Sequence, residues 1–153
     1  MATTEPITMG KYRLPVDRHY DPATHLWVTR PAPHRLRCGF DPLSAETSGD
    51  LVALAFEPVG TELERGKAFG SLEAAKFVGP LLAPVSGRLA AHNTAVLARP
   101  GLINREPFDS WLVEWEVADP DAELGALLRD PDAIAAWLQR EIRRFEDDGM
   151  LAR

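Results

Sequence analysis

Residues 66–87 read GKAFGSLEAAKFVGPLLAPVSG, and this stretch decides the fold. Glycine and proline recur in it at short intervals and separate short apolar strings, a pattern typical of brief strands joined by tight turns. Lys76 lies near the middle, so the sequence predicts a strand, a turn that bears Lys76, and a second strand. Such a turn holds the lysine amine away from the body of the protein, within reach of a modifying enzyme. Spacing alone is nevertheless more typical of an ordinary surface lysine.

Short strands and one short helix continue the pattern outside this hairpin. Residues 34–40 alternate, with Leu36, Cys38 and Phe40 on one face, and we expect them to pair with residues 24–29. Asp41 followed by proline is typical of a helix start, and Gly49 of a helix end, so a helix is predicted over 42–48. Further strands are predicted over 51–56, 87–92 and 111–117, the last with Trp111, Val113, Trp115 and Val117 on one face and Leu112, Glu114 and Glu116 on the other.

The last quarter of the chain changes to helical spacing. Apolar residues recur there every three or four positions after Asp130 and Pro131, and we expect residues 120–146 to be mainly helical. Residues 1–13 lack periodicity and are predicted to form a flexible N-terminal arm, which leaves 14–153 as a single domain. The predicted fold class is therefore mainly β with C-terminal α: a small antiparallel sandwich or barrel with helices packed on one side.

Composition excludes several classes of function. The chain has 153 residues and a formal net charge of −6, which argues against nucleic acid and anionic membranes as partners. It has neither an apolar run long enough to span a membrane nor a signal-peptide pattern, so we expect a cytoplasmic protein. The single cysteine, Cys38, rules out an intramolecular disulfide.

The sequence contains only weak signals for catalytic or metal-ligating residues. The four histidines lack ligand spacing, so we predict no metal site and place them at the surface: His19, His25, His34 and His92. Ser86 lacks the first glycine of a nucleophile elbow. Glu114 and Glu116 share a strand face and would serve an enzyme only if they lined a cleft, but charges opposite a tryptophan face normally point to water. We therefore predict no catalytic residue from these patterns, and an enzyme that uses the Glu114 and Glu116 face is left as an alternative.

Several ordered segments resemble the glycine cleavage system H-proteins. Around the lysine, the resemblance begins at Val59-Gly60 and continues without gaps from Glu73-x-x-Lys76 to Ala83-Pro84-Val85-Ser86-Gly87. Three further segments elsewhere in the chain also match the family: His25–Val28, Gly49–Val52 and Leu102–Phe108. It implies a lipoyl/biotinyl-type β-barrel sandwich hybrid with flanking short helices. It also implies a non-catalytic carrier with lipoate in amide linkage to Lys76. Glu73 would then either guide the lipoylating enzyme or be an ordinary surface carboxylate.

Departures from the H-protein pattern favour a sister group. Leu26 replaces the glutamate of the family's His-Glu-Trp motif, and Ala74-Ala75 replaces Ser-Val before the lysine. The string Lys76-Phe77-Val78-Gly79-Pro80 is similar to one in the lipoate-binding proteins of the sulfur-oxidising heterodisulfide-reductase-like system, as is the lead-in over residues 14–21. The favoured interpretation is a lipoyl carrier that shuttles sulfur-bound intermediates. The alternative is the H-protein role in glycine cleavage, with an aminomethyl group as cargo.

The implied partners are enzymes that load and unload the arm, a lipoate ligase or lipoyltransferase, and a dihydrolipoamide dehydrogenase-like enzyme that reoxidises it. Two further alternatives keep the same fold. A biotinyl carrier would have methionine on both sides of the lysine, whereas Ala75 and Phe77 flank it here. An unmodified barrel module would carry no cofactor, because fold alone does not determine function.

Overall fold

The computed structural model describes residues 5–151. These residues form eleven strands and five helices, which in chain order are β1 (Ile7–Met9), β2 (Tyr12–Leu14), β3 (His19–Tyr20), β4 (Leu26–Ala32), β5 (Arg35–Phe40), α1 (Pro42–Ser48), β6 (Leu51–Phe56), β7 (Glu62–Leu63), β8 (Ala68–Ala74), β9 (Val78–Leu82), β10 (Gly87–His92), α2 (Thr94–Ala98), α3 (Leu102–Arg105), β11 (Val113–Glu116), α4 (Pro120–Gly125) and α5 (Pro131–Asp147). The predicted class, mainly β with C-terminal helix, is confirmed.

Two antiparallel sheets face each other across the main core. One has six strands in the order β3-β4-β5-β11-β10-β7, and the other has three in the order β6-β8-β9. Apolar side chains from both sheets share one buried cluster, which includes Leu36 and Trp115 from the first and Leu72 and Leu81 from the second. Burial of this apolar surface is the main favourable contribution to folding.

Helix α1 begins and ends where its local sequence directs. The Asp41 carboxylate accepts a hydrogen bond from the Ser44 N–H, and Pro42 occupies the first turn, where its missing N–H costs nothing. Gly49 ends the helix with φ at 79°, a left-handed conformation that favours glycine. The chain then reverses directly into β6.

A second core joins the two ends of the chain. Strands β1 and β2 pair as a hairpin, and Tyr12 and Leu14 pack with Trp137 and Leu138 of α5. The sequence predicts a loosely held arm through residue 13, whereas the sheet pairing begins at Ile7 because α5 supplies an apolar surface for the hairpin. Residues 1–4 of the predicted arm lie outside the described residues. Among helices within residues 5–151, none combines the length and apolar character needed to span a membrane.

The strand predicted over 111–117 is shorter and less regular than the alternation indicates. Strand β11 begins only at Val113, and Leu112, placed by the prediction with the exposed glutamates, is fully buried. Its N–H donates to the Cys38 carbonyl at 2.7 Å, and its side chain joins the main core. Trp111 instead packs in the second core, under the Arg37 guanidinium at 4.5 Å. The prediction fails here because each of these two residues meets a different core.

Candidate functional site

Lys76 lies at the tip of the β8–β9 hairpin, where the sequence places it. Strand β8 ends at Ala74 and β9 begins at Val78, so three residues form the turn. The Ala74 N–H donates to the Phe77 carbonyl at 2.8 Å and closes that turn. Lys76 itself is exposed. The hairpin therefore presents the lysine side chain to solvent from a closed and regular backbone.

The backbone of the turn is held by a second segment, Ser48–Asp50, which we call the tip cradle. The Lys76 N–H donates to the Ser48 carbonyl at 2.9 Å, and the Ala75 N–H donates to the Asp50 carbonyl at 3.0 Å. Between these two bonds lies Gly49, where an added Cβ would come within 3.1 Å of the Lys76 Cγ. The absence of a side chain at Gly49 thus gives the stem of the lysine room to lie over the cradle.

The Lys76 ammonium is unpaired among the described residues. None of the ion pairs formed within residues 5–151 includes it. Glu46 on α1 interacts electrostatically with Lys76, but its carboxylate already binds Lys11 and Tyr12. Burial raises the pKa of Glu46, and those two hydrogen bonds outweigh it, so the pKa lies below its ordinary value. The lysine amine remains available for acylation.

Exposed apolar side chains surround the turn. Val52, Phe77 and Val78 are 61%, 44% and 73% exposed, which is unusual for residues of their size. Glu73 is exposed on β8 and lies opposite Ala53 and Val78 in the sheet register. Two exposed acids, Glu73 on β8 and Asp50 in the tip cradle, therefore lie near the turn together with these apolar side chains.

A cavity of about 270 Å³ opens next to the turn. Phe77 forms part of its wall, together with the end of α1 and the C-terminal residues that follow α5. Its lining is mainly apolar and includes Leu26, Phe40, Leu72, Leu81, Leu82, Phe145 and Met150. Larger grooves elsewhere on the described surface, one of about 1010 Å³ beside Ser86 and Glu116, do not include the turn. This smaller cavity thus borders the turn that bears Lys76.

Three hydroxyl groups in the cavity wall donate their protons within the protein, which leaves their oxygen lone pairs as acceptors. Thr24 donates its proton to the Asp21 carboxylate at 2.8 Å, Ser44 to the Asp41 carbonyl at 3.0 Å, and Thr47 to the Ser44 carbonyl at 3.2 Å. Because each proton is already committed, the hydroxyl oxygens can only accept a further hydrogen bond. These three oxygens can therefore bind a donor, and the same wall also contains His25 and Arg144, which are bound to carboxylates.

His25 joins the cavity wall to the C-terminal helix. Its Nδ1 lies 2.7 Å from an Asp41 oxygen and its Nε2 lies 2.7 Å from a Glu141 oxygen, while its ring packs against Trp137 and Phe145. Carboxylates only accept hydrogen bonds, so both ring nitrogens carry protons. Burial lowers the pKa of His25, but the two carboxylates outweigh it and the pKa lies above its ordinary value.

The prediction that all four histidines lie at the surface is wrong for His25, which is 5% exposed. Its position among two carboxylates and two aromatic rings depends on α5, more than a hundred residues away in sequence, and no local signal could have found it. Within residues 5–151 no group of three or more potential ligands is arranged to hold a metal ion.

Glu114 and Glu116 are engaged in ion pairs between neighbouring strands. Glu114 binds Arg37 at 3.1 Å, and Glu116 lies between Arg35 at 3.5 Å and Arg88 at 2.6 Å. Each carboxylate has at least one guanidinium partner, so neither is poised as a free acid or base. These pairs stabilise the outer face of the six-stranded sheet rather than forming a reactive site.

Comparison with known proteins agrees with this geometry. The family model described as glycine cleavage H-protein matches residues 18–141. A glycine cleavage system H protein from Mycobacterium leprae is 39% identical over 132 residues, covering 86% of this chain and 94% of that protein. One from Mycobacterium avium is 37% identical over 123 residues, covering 80% and 92%.

A solved structure of similar fold carries the same description. The crystal structure of a glycine cleavage system H protein from Mycobacterium marinum aligns with a TM-score of 0.62 and 29% identity, covering 73% of this chain and 97% of that one. These relatives bear glycine-cleavage names, which favours the glycine-cleavage alternative over the sulfur-oxidation interpretation. The chain belongs to the glycine cleavage H-protein family, whose members are non-catalytic carriers with lipoate attached covalently to a lysine.

Proposed function

We propose that Lys76 is the lipoyl attachment residue and that the chain carries an aminomethyl group between the enzymes of glycine cleavage. The observation that carries this proposal is the exposed amine of Lys76, which forms no ion pair within residues 5–151, on a turn whose backbone is bound to the tip cradle. A rigid support beneath a mobile side chain is what a swinging arm requires, because the arm then samples a limited volume around docked enzymes.

The residues around the turn fit a lipoyl group. The aliphatic part of the arm and its ring are apolar, and the cavity beside Phe77 has a mainly apolar lining. When attached, lipoate supplies a disulfide that is reduced to two thiols, one of which bears the cargo. The amide bond removes the charge of Lys76, so apolar packing against Val78 and Phe77 no longer competes with hydration of an ammonium.

Three hydroxyl oxygens in the cavity wall can bind an aminomethyl cargo. An aminomethyl group ends in a protonated amine, which donates hydrogen bonds, and the oxygens of Thr24, Ser44 and Thr47 accept them. Cargo held there would lie against the mainly apolar wall of the cavity between the loading and unloading steps. The carrier's partners are then the decarboxylase that loads it, the folate-dependent transferase that unloads it and the flavin dehydrogenase that reoxidises it.

Glu73 is proposed as the contact for the lipoylating enzyme. It lies three residues before the lysine on β8, is exposed, and lies opposite Ala53 and Val78 in the sheet. An arginine or lysine of the enzyme would bind it and orient the turn. Glu73→Gln should lower kcat/KM for lipoylation, whereas Glu62→Gln, an exposed glutamate on β7, should leave it unchanged.

The attachment residue is tested with a purified lipoate ligase, lipoate and ATP. The wild-type protein should gain one lipoyl group, and Lys76→Arg should gain none because a guanidinium is not acylated. Lys67→Arg is the matched control, since Lys67 is also an exposed lysine near the hairpin and its loss should change nothing. Modification that persists in Lys76→Arg, or that disappears in Lys67→Arg, would contradict the assignment.

The cargo is tested by reconstitution of the lipoylated protein with glycine decarboxylase. Glycine-dependent release of carbon dioxide and stoichiometric loading of the arm are expected. A lipoylated protein that remains unloaded would refute the aminomethyl role and would favour a sulfur-bound cargo instead. Streptavidin blotting of the same sample, expected to be negative, separates a biotinyl carrier from a lipoyl carrier.

A further inference from the structure

The side chain of Asn104, on α3, binds three backbone groups around the tip cradle. Its Oδ1 accepts from the Leu51 N–H at 3.0 Å, and its Nδ2 donates to the carbonyls of Gly49 at 2.9 Å and Ala45 at 3.3 Å. A backbone N–H is only a donor, so the Leu51 contact fixes which atom of the amide is the oxygen. One side chain therefore ties the end of α1 to the start of β6.

These bonds supply hydrogen-bond partners to backbone groups at the end of α1 and the start of β6. The last carbonyls of a helix lack partners within the helix, and the chain here turns sharply at Gly49 before it enters β6. Asn104 supplies donors to carbonyls of that end and an acceptor for the first strand amide. Its own position is fixed because the neighbouring Ile103 is fully buried in the main core.

The same segment holds the lysine turn. Asn104 binds Gly49 within the tip cradle and Ala45 and Leu51 on either side of it. The cradle carbonyls at Ser48 and Asp50 accept from Lys76 and Ala75. A continuous set of hydrogen bonds thus runs from the side chain of Asn104 through the cradle to the backbone of the attachment residue. Loss of Asn104 would free the cradle and, with it, the turn.

We propose that Asn104 is a positioning residue for lipoylation: it fixes the tip cradle so that the turn presents the Lys76 amine in one orientation to the lipoylating enzyme. This inference rests on the proposed attachment at Lys76. Asn104 touches neither the amine nor the cofactor, and it acts only through the cradle. A group held in place beforehand reacts faster because the cost of ordering it is not met at the moment of reaction.

Two substitutions test the proposal. Asn104→Ala removes all three hydrogen bonds, and Asn104→Asp keeps an acceptor for Leu51 while placing a carboxylate against two carbonyls. The matched control is Asn93→Ala, because Asn93 also binds two backbone groups, the Ala95 N–H at 3.1 Å and the Trp111 carbonyl at 2.7 Å, and contacts neither the cradle nor the turn. All three variants are made in the full chain.

Amide exchange and enzyme kinetics are measured together. In both Asn104 variants, exchange at the Ala75 and Lys76 amides should speed up about tenfold or more, and kcat/KM with a purified lipoate ligase should fall about tenfold. In Asn93→Ala both quantities should stay within about twofold of wild type, even where unfolding shifts by a similar amount. Equal effects from Asn93 and Asn104 variants, or unchanged exchange in folded Asn104→Asp, would overturn the proposal.

The wild-type protein supplies a measurement that needs no variant. The amides of Leu51, Ala75 and Lys76 should exchange through one common opening, because the cradle connects them. Separate opening rates would overturn the proposal even if neither Asn104 variant folds. If the wild type exchanges as expected but is not lipoylated, the attachment proposal fails while the connection from Asn104 to the turn stands, so the two failures are distinguishable.

Discussion

Replacing His25 with alanine should destabilise the protein by about 3 kcal/mol, chiefly through Asp41. The Asp41 side chain is fully buried, and the His25 ring is its cationic partner at 2.7 Å. Removing one partner of a buried ion pair typically costs about 3–5 kcal/mol, because the remaining buried charge is neither paired nor solvated. We take the lower end because the other Asp41 oxygen still accepts from the Ser44 N–H. Glu141 adds little, since it keeps two bonds to Arg144 at 2.8 Å.

The same pair predicts a pH dependence of definite sign. The pKa of His25 is raised in the folded protein, so its stabilising effect is fully present below the unfolded value of about 6.5 and is lost as pH rises through the folded value. The slope cannot exceed about 1.4 kcal/mol per pH unit for one proton. Glu141 acts at the other extreme: its hydrogen bond with Arg144 lowers its pKa to about 2, so its stabilising effect is lost only as pH falls from about 4.3 toward 2.

Urea unfolding, followed by tryptophan fluorescence and circular dichroism, measures the His25 effect between pH 5 and 9. The difference in the free energy of unfolding between wild type and His25→Ala should be largest near pH 6 and shrink at high pH. Glu141→Gln is the matched control, because it leaves Asp41 paired and should cost about 1 kcal/mol. A His25→Ala protein that is as stable as wild type, or a difference that grows with pH, would refute this reasoning.

Three further results are expected. Cys38 is fully buried and its pKa is raised to about 12 by burial, so thiol reagents should label it only after unfolding; rapid labelling of the native protein would contradict that burial. Lipoylation should change the formal charge from −6 to −7, because one ammonium is lost, and isoelectric focusing should detect a more acidic species that is missing in Lys76→Arg. Gly49→Ala should lower the free energy of unfolding by about 2 kcal/mol, because φ is 79° and the new Cβ would lie 3.1 Å from the Lys76 Cγ; thermal unfolding unchanged from wild type would contradict the strain.

The elements that sequence predicts well are those set by local signals. Helix α1 occupies the predicted residues 42–48 because its cap, its first-turn proline and its terminal glycine are all within the segment. Strand β6 likewise matches residues 51–56, which Gly49 and Pro58 flank, and β10 matches residues 87–92, which begin at Gly87. The position of Lys76 at a hairpin tip belongs to the same class, because the spacing of glycines around it defines the turn.

The features that sequence analysis misses depend on contacts between distant segments. The β1–β2 hairpin is ordered by α5, and His25 is buried only because the same helix covers it. Asn104 reaches the tip cradle across more than fifty positions of sequence. Leu112 shares a predicted face with Glu114 and Glu116 yet is buried, since the main core extends to it. Periodicity describes one element at a time and carries no information on which elements meet.

The most direct test of the account is tryptic peptide mapping of the protein made in a lipoylating host. An acylated Lys76 resists trypsin, so residues 68–76 and 77–88 should appear as one joined peptide with a single lipoyl mass increment, and fragmentation should place that increment on Lys76. Cleavage after an unmodified Lys76 throughout the sample, with the increment on Lys11 or Lys67 or absent, would contradict the central claim.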